Sequence, residues 1–174
     1  LPVMNIQGEV PSSFNKITQE LFADKASSIM NSQSTVKTLY QIDYVSYING
    51  DILSLIIRAT LKEGDNPQRV IVQTYNYNLA TMQKASLEDV LSYRNLVQSE
   101  VQTKIQNTVQ KAKEEAEILV QSGYTVYNRD LSDSMYQLGN ISNYFLGPNG
   151  DLYIVFAYGN GHHTAEMDIV LYEK

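Results

Sequence analysis

The stretch from Val36 to Asn78 constrains the fold of this chain more than any other. Residues 36–48 are rich in Tyr, Val and Ile, side chains that suit a pleated, half-buried surface. They run into Asn49-Gly50, a dipeptide that tolerates the positive φ values of a tight hairpin turn, and a second β-rich run follows. In that run Leu53, Leu55, Ile57, Ala59 and Leu61 share one parity and hence one face, with Ser54, Arg58 and Thr60 on the other. A looser turn at Glu63-Gly64-Asp65-Asn66-Pro67 leads to a third strand over 68–78. The middle of the chain is therefore expected to be an antiparallel meander.

Helical signals flank it. Residues 1–11 read as extended under Pro2 and Pro11, with Ser12 or Ser13 as the N-cap of an amphipathic helix over 13–31. Its apolar stripe is Phe14, Ile17, Leu21, Phe22, Ile29 and Met30, and the polar run Asn31 to Ser34 closes it. Ser86 and Asp89 have the spacing of a capping box that opens a short helix. A longer helix is expected from Tyr93 to Gln121, because Val97, Val101, Ile105, Val109, Ala112, Ala116 and Leu119 recur at steps of three and four. Gly123 supplies its stop. The last third reads as strands over 141–146, 152–158 and 165–172, around a Pro148-Asn149-Gly150-Asp151 turn and a Gly159-Asn160-Gly161-His162-His163 loop. The expected class is α+β, an antiparallel β-sheet with two main helices packed on one face.

Composition narrows the function. A chain of 174 residues is long enough for one ordinary core, which favours a single domain. The net charge of −6, with no cluster of Lys or Arg, argues against nucleic acid as a partner, since neutralising phosphates takes a basic patch. No apolar run approaches the ~20 residues that span a bilayer. The absence of cysteine removes disulfides, thiolate zinc sites and cysteine nucleophiles together.

Catalytic signals are thin. The two histidines, His162 and His163, are neighbours in a glycine-bounded loop, and with Glu166 or Asp168 they offer the ligand types of a zinc site. Two histidines alone fall short of one. No G-x-S-x-G elbow or Gly-rich phosphate loop occurs, and the carboxylates Asp43, Asp51, Asp130, Asp133, Asp151 and Asp168 are scattered. No catalytic residue, metal or cofactor is assigned, and the expectation is a protein that is not an enzyme. The thirteen tyrosines are the one excess, and most fall in expected strands. Packing is their ordinary role there, although exposed aromatic rows also stack on sugars or anchor protein partners.

The order of these pieces resembles a known family. The run from Tyr40 to Leu91 is similar to the extracytoplasmic C-terminal domain of RsiV-type anti-sigma factors, which also accompanies PdaC-type peptidoglycan deacetylases. The resemblance rests on Ile52-Leu53-Ser54-Leu55, on the Tyr75 to Leu79 segment and on the Leu87 to Leu91 helix. The strand from Asn149 to Tyr158 and the opening Leu1-Pro2-Val3, with Asn15, Lys16 and Ile17 in the first helix, extend it over nearly the whole chain. Two segments depart from the family pattern: Thr81-Met82-Gln83-Lys84 and Gly159-Asn160-Gly161-His162-His163-Thr164, the latter in place of an aromatic-rich loop that helps lysozyme-sensing members engage their partner. Lysozyme binding is therefore not carried over.

The resemblance implies one extracytoplasmic domain over 1–174, lacking an N-terminal signal, anchor or fused segment. Its implied function is non-enzymatic binding or sensing in a Gram-positive type of cell envelope, secreted or membrane-anchored. The partner would be a protein or a cell-wall glycan. Function concentrates on loops held by a rigid scaffold, which nominates Tyr158, Asn160, His162 and His163 as the binding residues. The alternative is a metal-dependent cell-wall hydrolase or an accessory domain of a peptidoglycan deacetylase.

Overall fold

A computed structural model describes residues 1–5, 8–32 and 35–173. Its strands are β1 (Thr38–Asn49), β2 (Ile52–Glu63), β3 (Arg69–Asn78), β4 (Gln83–Lys84), β5 (Tyr144–Leu146), β6 (Leu152–Ala157) and β7 (Met167–Tyr172). Its α-helices are α1 (Glu9–Thr18), α2 (Asp24–Met30), α3 (Leu87–Arg94) and α4 (Gln98–Gln121). The α+β class expected from the sequence forms, with every strand pair antiparallel. The strands divide into two sheets, one ordered β1-β2-β3-β4 and one ordered β5-β6-β7.

The meander pairs Asn49 with Ile52, so the two-residue turn is Gly50-Asp51, one position later than the Asn49-Gly50 reading. Gly50 carries the positive φ, +55°, and a Cβ there would meet the Tyr93 hydroxyl at 2.1 Å. Glycine meets both conditions without strain, whereas a larger residue there would have to turn Tyr93 aside.

Each face of the β1–β2–β3 sheet packs on a different layer. Leu55, Ile57 and Ala59 of β2, with Ile71 and Tyr75 of β3, meet Phe14 and Phe22 of the N-terminal helical arm. Val70 and Val72, on the opposite parity of β3, meet Val155 and Ala157 of β6. The far face of β6 presents Leu152, Ile154 and Phe156 to Val101, Ile105 and Val109 of α4 and Val90 and Leu91 of α3. The layers therefore run helix, sheet, sheet, helix, and each sheet carries helices on one of its faces.

Three expected elements differ. The N-terminal helix starts at Glu9 behind Gly8 rather than at residue 13, and neither Ser12 nor Ser13 caps it. Pro11 lies in the first turn, where amides have no intrahelical acceptor and a missing N–H costs little. Between α1 and α2 the chain makes a wider π-helical turn, Gln19–Ala23, which shifts the apolar face. Phe14 and Phe22 are consequently buried, whereas Ile17, Leu21 and Met30 are exposed. The Gln33-Ser34 end of the expected closing run lies outside the described residues.

The helix expected from Tyr93 to Gln121 is interrupted. Asn95 ends α3 in the left-handed region, φ 54° and ψ 39°, a conformation asparagine tolerates. The Leu96 amide then donates to the Leu91 carbonyl at 2.9 Å, and α4 restarts after Val97. The Ser86–Asp89 capping box forms in both directions. The strand expected over 141–146 is confined to Tyr144–Leu146, because a short 3-10 turn, Leu138–Asn140, precedes it. No described helix is long and apolar enough to cross a membrane.

Candidate functional site

The His-bearing loop is fastened from below. After β6 the chain makes one 3-10 turn, Tyr158–Asn160, and Gly159 lies flat against β3. A Cβ at Gly159 would sit 1.9 Å from the Val70 carbonyl oxygen and 2.5 Å from that of Thr164, so no larger residue fits without moving backbone. The Arg69 guanidinium donates to the Gly159 carbonyl and, at 2.8 Å, to that of Asn160. The Asn160 carboxamide accepts from the Val72 amide at 2.9 Å and donates to the Val72 carbonyl at 2.8 Å. It thereby does for the edge of β3 what a neighbouring strand would do. The Val70 amide donates to the Thr164 carbonyl at 3.0 Å, and that of Thr74 to Asn143 Oδ1 at 3.0 Å, so the same edge is closed along its length.

Beneath the loop lies a buried charged network. Arg129 grips Asp168 with two parallel hydrogen bonds, Nε to Oδ2 at 2.8 Å and Nη2 to Oδ1 at 3.0 Å. Its third nitrogen, Nη1, donates to the Tyr127 carbonyl at 3.0 Å and reaches Glu166 Oε2 at 3.3 Å. The Tyr158 hydroxyl donates to Asp168 and lies 3.0 Å from the Tyr136 hydroxyl, and the Arg129 guanidinium sits 5.1 Å from the Tyr158 ring centroid. Such a fork-to-carboxylate pair is the strong form of ion pair, and it holds buried charge only while both partners are present.

Titration follows this geometry. Burial opposes the Arg129 charge, but the hydrogen bonds and attraction of Asp168, with Tyr158 and Glu166 behind it, push its pKa above the ordinary value. Burial, then the hydrogen bond given to Asp168, pushes the Tyr158 phenol well above its ordinary range. Burial also raises Tyr136 and Tyr127. Arg129 and the three phenols therefore all keep their protons through the physiological range.

Above the network a cleft of about 200 Å³ opens, with Phe156 and Tyr158 in its floor and Tyr127, Asp133, Asn140 and His162 among its walls. The Tyr127 ring stacks on that of Tyr158, centroids 4.0 Å apart and 16° from parallel, and His162 tilts against Tyr127 at 5.1 Å. The ring of His162 makes no hydrogen bond among the described residues; only its amide is used, donating to the Tyr158 carbonyl at 2.9 Å.

Three of the four residues nominated from the sequence, Tyr158, Asn160 and His162, line this cleft together, and His163 is exposed outside its lining. Their roles separate. Tyr158 is 1% exposed with its hydroxyl engaged, so it forms floor rather than contact. Asn160 spends its carboxamide on β3. His162 is the nominated residue that presents an uncommitted polar group to the cleft. The carboxylates weighed beside the histidines as metal ligands, Glu166 and Asp168, both bond to Arg129, and no group of three or more His, Asp or Glu among the described residues could hold a metal ion.

Tyr127 and Arg129 were not singled out from the sequence, and Asp133 figured there only among the scattered carboxylates. All three belong to an irregular segment after α4 with no periodicity to read. Parity gave no signal for Arg129: Met167, Ile169 and Leu171 are the more apolar set of β7, yet the structure buries Asp168 with Val170, and a buried carboxylate then calls for a cation. Compared with protein-family models and with curated proteins, the chain matches none.

Proposed function

We propose that this chain is a non-enzymatic binding or sensing module that works outside the cytoplasm. In this reading it resembles the RsiV-type and PdaC-type accessory domains in role as well as in the order of its segments. The cleft beside His162 is the recognition surface, and a cell-wall glycan or an envelope protein is its partner. The observation that carries the reading is the division of labour at the cleft. The buried charges beneath it are paired with one another, and an imidazole and a tyrosine edge are left facing outward. Stiff aromatic surfaces of this kind recognise sugars and peptides at low entropic cost.

The double variant His162→Ala/His163→Ala tests it. Both side chains are exposed, so the fold is expected to survive with an unchanged Tm. Wild type and variant are titrated calorimetrically with soluble peptidoglycan fragments, and both are used as bait in envelope extracts. The expected result is saturable binding that the variant weakens at least tenfold. Equal binding by both proteins to every fragment and every captured protein removes the site.

A further inference from the structure

A second cavity, of about 290 Å³, lies on the opposite face of the sheet, between α1 and β3. Its walls are mainly apolar, with Met4, Phe14 and Ile17 among them. It is a constructed feature rather than a surface dent. The Asn15 carboxamide accepts from the Met4 amide at 2.9 Å and donates to the Met4 carbonyl at 3.0 Å, which fastens Met4 to α1 as one wall. The Phe14 ring meets Tyr75 edge-on at 4.7 Å as another.

Two polar groups in this apolar setting are unaccounted for. The hydroxyls of Tyr75 and Tyr77 are buried and have no hydrogen-bond partner among the described residues, and Tyr77 is only 2% exposed. Buried tyrosine hydroxyls are normally bonded, because an orphaned one forfeits its hydration. Both tyrosines line the cavity, and so does Lys84, which forms no ion pair among the described residues. We propose that this cavity binds a single-chain amphiphile of the medium-chain carboxylate class. The alkyl chain lies under α1, and the head accepts hydrogen bonds from the two hydroxyls beside Lys84. The volume, at the small end of ligand pockets, fits a medium chain rather than a long one. Glu9 shares the rim, so the two hydroxyls and Lys84 must outweigh its repulsion of the anionic head.

The test is calorimetric titration of the whole chain with decanoate below its micellar concentration, beside decyltrimethylammonium, which has the same chain and no acceptor. Decanoate binds saturably, and the ammonium at least tenfold more weakly. Tyr77→Phe weakens decanoate about tenfold, the loss expected for one hydrogen bond to a charged acceptor. In the unliganded protein the same substitution leaves Tm unchanged or higher, since no bond is lost. Ile17→Trp, at a half-exposed helical position on the cavity wall, fills the space and abolishes binding. Unsaturable heats, equal binding of the two amphiphiles, or a Tm lowered by Tyr77→Phe in the unliganded chain would each overturn the proposal.

Discussion

The two faces of the β1–β2–β3 sheet are covered by different means. Against β5, β6 and the loop after β6 the contact is directional. Ser54 bonds Asn76 at 2.6 Å and accepts from the Leu146 amide at 3.0 Å, while Asn76 donates to the Tyr144 carbonyl at 2.7 Å. Asn143 and Asn160 close the edge of β3 in the same way. On the other face the N-terminal arm is held by Phe14 and Phe22 over a small apolar cluster, with a cavity and two orphaned hydroxyls beneath it. Hydrogen bonds fix position to tenths of an ångström, whereas apolar contact is non-directional. The loop carrying His162 is thus built on the rigid face, and the arm is the element that can yield.

The largest test of this contrast uses two substitutions of similar cost and different reach. Arg129→Ala strands the Asp168 carboxylate in the interior, at about 3–5 kcal/mol. Phe22→Ala removes the most buried side chain of the arm, at about 3–5 kcal/mol. Arg129→Ala is expected to lower the global Tm by roughly 10 °C, as a chain of this size loses a few degrees per kcal/mol. Phe22→Ala should instead release the amides of α1 and α2 to hydrogen exchange and leave those of α4 protected. Equal acceleration in α4 would show that the two faces unfold as one unit.

Alkaline pH acts mainly on the rigid side. The Tyr144 phenol is pushed up to about 12 by burial, with the Asp89 charge adding to it, and burial raises Tyr136 and Tyr158 as well. Each has a native pKa above its unfolded value near 10, so the native state keeps protons that the unfolded chain loses. The stabilisation is whole below pH 10 and drains as pH rises towards 12. Tyr144 alone accounts for about 3 kcal/mol over those two units. Urea midpoints measured at pH 9, 10 and 11 should fall progressively. Phenolate absorbance from these three tyrosines should appear only with unfolding.

How much of this was legible in the sequence follows from the range of each interaction. The Gly50 hairpin, the Ser86–Asp89 capping box and the Gly123 stop depend on residues a few positions apart, and all lie within a residue of where the pattern put them. The break at Asn95 was missed because asparagine permits either conformation, and the Leu96 amide bonded to Leu91 decides between them. The apolar stripe of the first helix misled for a related reason: the π-helical turn at Gln19–Ala23 moves the face mid-helix. Arg129 and Asp168 are 39 residues apart, and no local pattern joins them. The loop after β6 was found through its glycines and histidines. That Asn160 is a structural bond and His162 an open one is a property of the neighbour strand, which no spacing encodes.

Asn160 supplies the smallest and sharpest test, because fold and candidate site meet there. Asn160→Ala leaves the Val72 amide and carbonyl without their side-chain partner. Both bonds are only partly buried, so water recovers much of the loss and the cost falls near the low end, about 1 kcal/mol. Tm should drop by roughly 2–4 °C, and the Val72 amide should exchange faster than its neighbours in β3. Asn160→Asp separates the two bonds. A carboxylate still accepts from the Val72 amide but faces the Val72 carbonyl with a second acceptor, so at neutral pH it should destabilise more than alanine does. If Asn160→Ala instead weakens glycan binding at an unchanged Tm, Asn160 is a contact residue, and the β3 edge is held by Asn143 and Thr164 without it.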